Sequence, residues 1–399
     1  MSMITTDILV SGGGVAGLTA AAAFGSAGFS VTCVDPAPPV TDADATGSDL
    51  RTTAFLQPAR RLLERAGLWA ALAPHAAALQ IMRIVDAGGN SQDARLIEDF
   101  DAADISEAPF GWNLPNWLLR REILARLEAL PNVVFLPGVA TGQVITRETG
   151  ARVLLSDGRM VAARLLIAAD GRASNIRTQL GIGVRTWRYG QKALVFAVSH
   201  PVPHENVSTE IHRSGGPFTL VPLPDLAGKP RSAVVWMDTG PRIKALQALP
   251  QDRFEAEILA RSAHLFGPMR LLTRRDAWPI ISQHANALTA QRTALIAEAA
   301  HVVPPIGAQG LNMSLADMTC LLDLALDAPD ALGSAGMLGR YQRGRMRDIR
   351  ARVLGIDLLN RASMAENPLL RDLRHYGLKT LHDIAPVRKL LMRTGLGAT

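Results

Sequence analysis

Residues 7–35, with the sequence DILVSGGGVAGLTAAAAFGSAGFSVTCVD, decide the fold of this chain. The apolar run at 8–10 predicts a buried parallel strand, and the Ala-rich run after it predicts a helix from residue 18 to about 27. A second strand is predicted at 31–34, and Asp35 closes it. The stretch is therefore a strand–helix–strand unit, which indicates a parallel sheet covered by helices.

Three glycines at the first turn, Gly12, Gly14 and Gly17, have the spacing G-x-G-x-x-G. The first permits a tight turn, the second lets the backbone approach a pyrophosphate, and the third lets the helix pack on the strand. The helix N-terminus attracts anions, and Asp35 stands where a carboxylate would bind a ribose hydroxyl. A glycine-rich turn alone is often only a turn, but the complete unit favours dinucleotide binding.

Length and composition limit the classes of protein. The chain has 399 residues, of which 48% are hydrophobic, and this allows two or three domains with sizeable cores. No apolar run reaches the roughly 18 residues of a transmembrane helix, and the first strand begins too early to leave room for a signal peptide. Cys33 and Cys320 are the only cysteines, so we expect no disulfide framework and a reducing cytoplasm.

The net charge of +6 is unevenly distributed. From Arg340 to the end there are thirteen Lys and Arg against five Asp and Glu, a net +8, so the preceding residues sum to −2. Aromatic residues are scarce there and no nucleic-acid motif is present, so we expect no nucleic-acid partner. A basic helical face near a membrane or an acidic partner fits better, and a solvated helix surface is the alternative.

Apolar residues near the C-terminus recur at steps of three and four, which predicts a stripe on one helical face. Basic residues lie between them, so the stripe could pack on the protein's own core or contact lipid. The apolar positions are Leu378, Leu381, Ile384, Val387, Leu390 and Leu391, and the basic ones are Arg388, Lys389 and Arg393.

The rest of the chain predicts a second sheet and several loops suited to ligand contact. Strands are predicted at 80–86, 95–100, 133–136, 139–147, 151–155, 164–169, 193–199, 218–222, 232–237 and 293–297. Helices are predicted at 57–63, 118–130, 253–265, 341–361 and 378–392, the last one broken at Pro386, and another from about Asn312. The group between 193 and 238 indicates a separate sheet over the first domain.

Two strand ends carry residues typical of ligand contact in open α/β sheets. The strand at 164–169 ends in Asp170-Gly171. The strand at 293–297 leads into Pro304, Pro305, Gly307 and Gly310, which predict an extended loop before a helix N-terminus. Arg51 could bind a pyrophosphate near the first turn, although a surface arginine is the alternative.

These motifs together resemble the FAD-dependent aromatic hydroxylases with the hydroxybenzoate-hydroxylase fold. Within that family the chain is similar to the branch that hydroxylates polyprenylated phenols in ubiquinone biosynthesis, over nearly its whole length. The matching residues are Gly12, Gly14, Gly17, Asp35, Arg51, Asp170-Gly171, Ser174, Arg177, Ala300-His301, Pro304, Pro305, Gly307, Gln309-Gly310 and Asn312.

The resemblance implies an α/β fold: a Rossmann-like FAD-binding domain, an interleaved β-sheet substrate domain and C-terminal helices. The FAD-binding domain is expected at 1–75, 111–183 and 286–335. The substrate domain is expected at 76–110 and 184–285, and the C-terminal helices at 336–399.

The resemblance also implies the site residues. No catalytic side chain is identified, and the flavin-facing loop is expected to contain Pro304, Pro305, Gly307 and Gln309. The implied cofactor-binding residues are Gly12, Gly14, Val15, Ala16, Gly17, Asp35, Arg51, Arg120, Asp170, Gly171, Glu298, Pro305, Gly307, Gly310, Leu311 and Asn312.

One departure from the family concerns residues 297 and 298. The family has Gly-Asp where this chain has Ala297-Glu298, which keeps the charge expected on the ribitol hydroxyls but adds a methyl and a methylene. For His301 we prefer a structural role to that of a base. The sequence shows neither a metal-ligand cluster nor a nucleophile–His–Asp set.

The resemblance implies an FAD-dependent monooxygenase that uses O₂ and is reduced by NAD(P)H or a reductase partner. The expected substrate is a lipid-tailed phenol, and the expected place is the cytoplasm, peripheral to the inner membrane or in a ubiquinone-biosynthesis complex. Two alternatives stay open: a hydroxylase of a small soluble aromatic acid, and a weakly catalytic flavoprotein subunit of a biosynthetic complex. The oligomeric state is left open.

Overall fold

The fold was analysed in a computed structural model that describes residues 3–87, 94–213, 215–364 and 383–396. Two large sheets and one small sheet are packed with helices. The helices are α1 (Val15–Ser26), α2 (Gln57–Arg65), α3 (Trp69–Leu72), α4 (Asn116–Glu128), α5 (Asn175–Gln179), α6 (Gly240–Ala248), α7 (Gln251–Arg261), α8 (Ala297–Ala300), α9 (Gln309–Asp327), α10 (Ala335–Met364) and α11 (Ala385–Leu396).

The first large sheet contains the strand–helix–strand unit. Its strands are β1 (Met3–Ser11), β2 (Val31–Asp35), β8 (Val133–Pro137), β9 (Thr141–Arg147), β10 (Gly150–Leu155), β11 (Met160–Ala168), β18 (Thr289–Ala290) and β19 (Thr293–Leu295). The main order is β18-β19-β11-β1-β2-β8, and β9 and β10 form an antiparallel hairpin beside β11. The contacts from β19 through β8 are parallel, so these strands end at the same edge.

The second large sheet is mainly antiparallel. Its strands are β5 (Ile81–Asp86), β6 (Leu96–Asp101), β12 (Val184–Ser199), β13 (Val207–Arg213), β14 (Gly216–Leu226), β15 (Lys229–Thr239), β16 (Arg270–Leu271), β17 (Asp276–Ala285) and β20 (His301–Val302). The main order is β20-β17-β12-β15-β14-β13-β5-β6. One face carries a core of aromatic and aliphatic residues that also includes residues of α6 and α7.

A third sheet was not anticipated from the sequence. It consists of β3 (Thr52–Leu56), β7 (Gly111–Pro115) and β4 (Ala77–Leu79), with β7 in the middle. The segment 76–110, expected to supply only substrate-domain strands, therefore gives β4 to this small sheet and β5 and β6 to the large one. The side chain of Asn113 donates a hydrogen bond to the carbonyl of Pro222 (2.9 Å) and links β7 to β14.

Most predicted elements are confirmed within a few residues, and two expectations are corrected. Ala297 does not end a strand, because β19 stops at Leu295 and α8 begins at Ala297. The helix expected from about Asn312 begins at Gln309, so the following glycine lies in its first turn. The break expected at Pro386 is confirmed: residue 383 is helical, residue 384 is a bend, and α11 begins at Ala385 with Pro386 in its first turn, where proline is tolerated.

Two further expectations concern the C-terminal helix and the cysteines. The beginning of the helix predicted at 378–392 lies outside the described residues. Cys33 in β2 and Cys320 in α9 are both free thiols.

Candidate functional site

The carboxyl ends of four adjacent parallel strands bring the sequence motifs together. In the order β2, β1, β11 and β19, these strands lead to Asp35, the glycine turn, Asp170 and Glu298. The chain leaves β1 for one side of the sheet and β11 lies on the other, which is the arrangement that creates a crevice in open α/β sheets. The residues are distant in sequence, and only the sheet order makes them neighbours.

The glycine turn combines crowding with open space. Gly12 has φ +117°, and a Cβ there would overlap the carbonyl of Ala169. A Cβ at Gly17 would overlap the carbonyl of Gly12, so the turn and the start of α1 are in backbone contact. A Cβ at Gly14 would meet no described atom within 4 Å. Packing explains two of the glycines, and Gly14 borders a space that a ligand can fill.

The N-terminus of α1 faces that space. The helix begins at Val15, Ala16 follows in the first turn, and among the described residues no side chain caps the helix. The first N–H groups of a helix have no intrahelical acceptor, and the helix dipole adds partial positive charge. The turn can therefore bind a phosphate group through its backbone.

Asp35 borders the same turn at the end of β2. Its carboxylate accepts hydrogen bonds from the N–H of Gly13 (2.5 Å) and of Ala37 (2.8 Å). Two carboxylate oxygens offer about four acceptor positions, so the side chain retains capacity for a hydroxyl donor. The contacts with the turn hold the carboxylate in place.

Arg51 belongs to a charged cluster that the sequence did not reveal. Its guanidinium donates two hydrogen bonds to Asp49, at 2.8 and 2.7 Å, and lies 4.2 Å from the ring centre of Trp278 in β17. Asp49 also accepts from the amide of Asn116 (3.0 Å), and Arg120 approaches it to 3.6 Å.

The charges of this cluster are fixed by its contacts. Burial raises the pKa of Asp49, but the hydrogen bonds and charge of Arg51 outweigh it, so the net pKa is lowered. The ionised Asp49 holds two arginines at the site. In the described part of the chain the buried Nε of Arg120 has no hydrogen-bond partner, and neither has the hydroxyl of Ser48. Unpaired buried donors are costly, and a ligand oxygen would satisfy them.

Asp170 organises its own loop. One carboxylate oxygen accepts from the hydroxyl of Ser174 (2.5 Å) and the other from the N–H of Ile176 (3.2 Å), and Gly171 turns the chain with φ +80°. The buried Arg177 donates to the carbonyls of Ala299 and of residue 172, both at 2.8 Å. The structure thus connects this loop with α8.

The loop after β19 contains backbone that alanine rarely adopts. Ala297 has φ +54° and Ala308 has φ +56°, both in the left-handed region that favours glycine. Glu298 is exposed at the start of α8, and its charge acts on Arg51. The replacement of the family's Gly-Asp by Ala297-Glu298 therefore changes the preferred backbone conformation as well as the side-chain length.

The start of α9 supplies a second helix N-terminus. The amide of Asn312 accepts from the N–H of Leu56 (2.9 Å) and donates to the carbonyls of Ala54 (2.7 Å) and Ala308 (2.6 Å). It therefore joins α9 to β3, which was not foreseen. Leu311 packs against the main core, whereas Gly310 is exposed and a Cβ there would meet no described atom.

The expected flavin-facing loop has both buried and accessible residues. Pro304 is buried and Pro305 is exposed, and Gly307 has φ +60°. The amide of Gln309 donates to the carbonyls of Gly307 (2.9 Å) and of Gly395 in α11 (3.1 Å).

Gln309 also accepts a hydrogen bond from Arg352 (2.7 Å). Beside these contacts lies a cavity of about 80 Å³, lined in part by Leu56, Met313 and Gly395. Ligand pockets typically measure roughly 300 Å³ or more, so this cavity is not the cofactor site.

His301 belongs to a buried ion-pair network rather than to an open site. Its Nε2 lies 2.7 Å from Asp317, and the other oxygen of Asp317 accepts from Arg345 (2.8 Å). Arg345 also pairs with Asp348, which pairs with Arg352. The network joins β20, α9 and α10, which supports the structural role preferred for His301 over that of a base.

Comparisons with known proteins agree with this geometry. The sequence profile of a family described as an FAD binding domain matches residues 5–352. A ubiquinone hydroxylase of Rhodospirillum rubrum, UbiL, is 32% identical over 398 residues, which cover 98% of this chain and 89% of that protein. The 3-demethoxyubiquinol 3-hydroxylase of Escherichia coli is 28% identical over 397 residues, covering 98% of each chain.

A solved structure shows the same fold. The p-nitrophenol 4-monooxygenase PnpA from Pseudomonas putida superposes with a TM-score of 0.79 at 18% identity, covering 100% of this chain and 99% of that one. At this identity the likeness concerns the fold alone. The expected α/β fold, with its FAD-binding and sheet-bearing parts, is confirmed.

Proposed function

The chain belongs to the FAD-binding-domain family of flavin monooxygenases, and from this premise we propose that it hydroxylates the aromatic ring of a polyprenylated phenol in ubiquinone biosynthesis. The observation that carries the proposal is the uncapped N-terminus of α1 beside Gly14, in a chain similar to ubiquinone hydroxylases over nearly its whole length.

The residues around the crevice fit FAD. The N–H groups of Val15 and Ala16 would bind the pyrophosphate in the space beside Gly14, and Asp35 would accept a hydrogen bond from the ribose. The unpaired Nε of Arg120 supplies a donor for an anionic oxygen in the same region. A dinucleotide requires an open space and hydrogen-bond donors for its phosphates and a carboxylate for its ribose. These residues would supply all three.

The remaining residues would bind the rest of the cofactor. Arg51, Asp170 and Gly171 border the first half of the crevice. Glu298 and the start of α9, at Gly310, Leu311 and Asn312, border the other half, and the accessible Pro305 and Gly307 would lie against the flavin. When bound and reduced, FAD supplies the activated oxygen for ring hydroxylation, and O₂ with NAD(P)H or a reductase partner would be its co-reactants.

A lipid-tailed substrate requires access to a membrane or to a lipid-carrying partner. On α10, Leu354, Leu358 and Leu359 are 60%, 59% and 59% exposed. The same helix exposes Arg343, Arg347, Arg350 and Arg361. Exposed leucines beside arginines favour an anionic lipid surface, and we propose reversible binding there. In the part of the chain that the structure describes, no helix is both long and apolar enough to span a bilayer.

The C-terminal stripe expected from the sequence supports this only in part. Met392 of α11 is buried, whereas Ile384 and Leu390 are 46% and 65% exposed. Arg388 forms an ion pair with Asp104 at 3.1 Å. The side chains at 387 and 391, and the residues at 378 and 381, lie outside the described part of the chain.

A spectrum and a turnover assay test the proposed activity. The purified protein should show flavin absorption or take up added FAD, and should convert a short-tailed demethoxyubiquinol with NADPH to a product one oxygen atom heavier. A protein that takes up no FAD would contradict the proposal, because the proposed reaction depends on FAD. Hydroxylation of a soluble aromatic acid, but not of the tailed phenol, would replace the substrate proposal with the soluble alternative.

Membrane binding needs its own test. Sedimentation with vesicles of phosphatidylcholine and phosphatidylglycerol should retain the protein at low salt and release it as salt rises. Serine at Leu354, Leu358 and Leu359 together should weaken retention, whereas the control Leu326→Ser, at a leucine 46% exposed on α9, should not. Equal retention of both variants would exclude α10 as the binding surface.

A further inference from the structure

Glu210 and His212 form a polar pair on the inner face of the second large sheet. Alternate residues of a strand point to opposite faces. Ile211, between them on β13, packs in the core formed with Phe218 and with residues of α6 and α7. Glu210 and His212 must therefore point away from those helices.

That inner face turns towards the cofactor crevice. Glu210 is paired across β13 with Thr219 of β14 and Ile84 of β5. Val221 of β14 and Met82 of β5 lie two residues further along these strands, on the same face of the sheet. Glu210 therefore lies two residues along the sheet from the level of these two hydrophobic residues, and His212 lies four residues from it.

Val221 and Met82 connect the inner face to the cofactor loops. Both pack in a hydrophobic cluster with Ala54 and Leu56 of β3. Leu56 is hydrogen-bonded through its N–H to Asn312, at the start of α9. A continuous layer thus runs from the first turn of α9, through β3, to the sheet face that carries Glu210 and His212.

The contact with Glu210 occupies one of the two ring nitrogens of His212. Nε2 of His212 lies 2.9 Å from a carboxylate oxygen of Glu210, and the two side chains are 12% and 7% exposed. A carboxylate accepts hydrogen bonds, so in the neutral imidazole a hydrogen on Nε2 points at Glu210 and Nδ1 carries the lone pair. Nδ1 is buried and has no hydrogen-bond partner among the residues that the structure describes.

We propose that His212 is the general base that takes the proton of the substrate phenol and that Glu210 positions it, an inference that rests on the proposed hydroxylase function. The phenol O–H would donate to Nδ1 and transfer its proton there, which leaves a phenolate and an imidazolium. A phenolate ring is more electron-rich than a phenol ring and reacts more readily with an electrophilic oxygen. Glu210 fixes the tautomer and stabilises the imidazolium, as the carboxylate does in nucleophile–His–acid sets.

The elements packed around the pair contribute both charged and uncharged side chains. Across from His212 on β5 stands Asp86, and Glu98 of β6 is opposite Ile84 on the inner face. β14 contributes Pro217 and Thr219, and α10, which packs against β13 and β14, has the buried and uncharged Asn360 and Ser363. The strand pairing therefore places two further carboxylates, those of Asp86 and Glu98, near the pair.

Ionisation of a bound chromogenic phenol tests the proposal directly. The phenolate of 4-nitrophenol absorbs visible light, so its ionisation on the FAD-loaded protein can be titrated with pH. In the wild type the midpoint should lie about one pH unit or more below that of free 4-nitrophenol, because the base withdraws the proton. In His212→Gln the midpoint should return to the free value, and in Glu210→Gln it should move part of the way.

The controls separate this role from a structural one. The flavin spectrum and the thermal midpoint of each variant report on the fold. His204→Gln changes a histidine at the edge of the same sheet, which contacts the carbonyl of Leu223, and should titrate like the wild type. The turnover of the short-tailed demethoxyubiquinol should lose its dependence on an ionising base only in His212→Gln.

The outcomes also separate the two proposals. Equal midpoints in wild type and His212→Gln, with equal pH profiles of turnover, would overturn the role of His212 and leave the hydroxylase intact. A wild type that takes up FAD but neither binds nor hydroxylates any phenol would overturn the proposed function, and the base with it. A shift lost in His212→Gln and kept in His204→Gln supports the assignment.

Discussion

The two loops at the crevice, residues 11–17 and 296–312, both contain left-handed backbone, but the residues that adopt it differ. In the first, Gly12 takes the unusual φ and Gly17 the close backbone contact. In the second, Ala297 and Ala308 adopt left-handed backbone, which costs an L-residue roughly 1–2 kcal/mol. A side chain that would overlap backbone is excluded, whereas a strained φ is tolerated when surrounding contacts hold it.

Gly17→Ala, in the first loop, should have the largest effect and should destabilise the fold. Its Cβ would overlap the carbonyl of Gly12, so we expect a loss of more than about 4 kcal/mol in the free energy of unfolding. Urea unfolding measures it, and Gly14→Ala, which meets only open space, is the matched control. Equal midpoints for the two variants would contradict the contrast between crowded and open positions.

Gly14→Val should leave the fold intact and remove the cofactor. The Cβ would meet no described atom within 4 Å and the side chain would occupy the space beside α1, so we expect FAD affinity to fall by at least about a hundredfold, or 2.7 kcal/mol. Flavin titration by fluorescence checks it, with urea unfolding as the test of folding. Unchanged FAD affinity would show that the pyrophosphate does not lie beside Gly14.

Glu298 tests whether the second loop contacts the cofactor. A charge-assisted hydrogen bond is worth about 1.5–3 kcal/mol, so Glu298→Ala should weaken FAD binding roughly tenfold or more. Glu298→Asp should leave the affinity unchanged or improve it, because the shorter side chain matches the family. Equal affinities of wild type and Glu298→Ala in a flavin titration would exclude contact.

Ala297→Gly should have the smallest effect, and it should stabilise the fold. Relief of left-handed strain outweighs the added flexibility of the unfolded chain, and we expect a gain of about 1 kcal/mol in the free energy of unfolding. Ala299→Gly, two residues on in α8, should instead lose about 1 kcal/mol. Urea unfolding of both variants decides it, and a loss in each would mean that Ala297 is not strained.

Much of the fold and part of the site could be read from the sequence because they depend on local chemistry. The glycine turn, Asp35 and the helix after them lie within one strand–helix–strand unit, where spacing fixes the geometry. The Asp170-Gly171 pair was found from its position at a strand end, although its hydrogen bonds to Ser174 and Ile176 were not.

The sequence by itself determined most strands of the first large sheet, the glycine turn and the family. The tertiary structure alone decided that Asn116 and Arg120 of α4 approach Asp49, that Asn312 joins α9 to β3, and which sheet face carries Glu210 and His212. Apolar periodicity and backbone preference act over a few residues, so they can be read along the chain. Partners of polar side chains are chosen by which strands and helices pack together, and that choice depends on the whole fold.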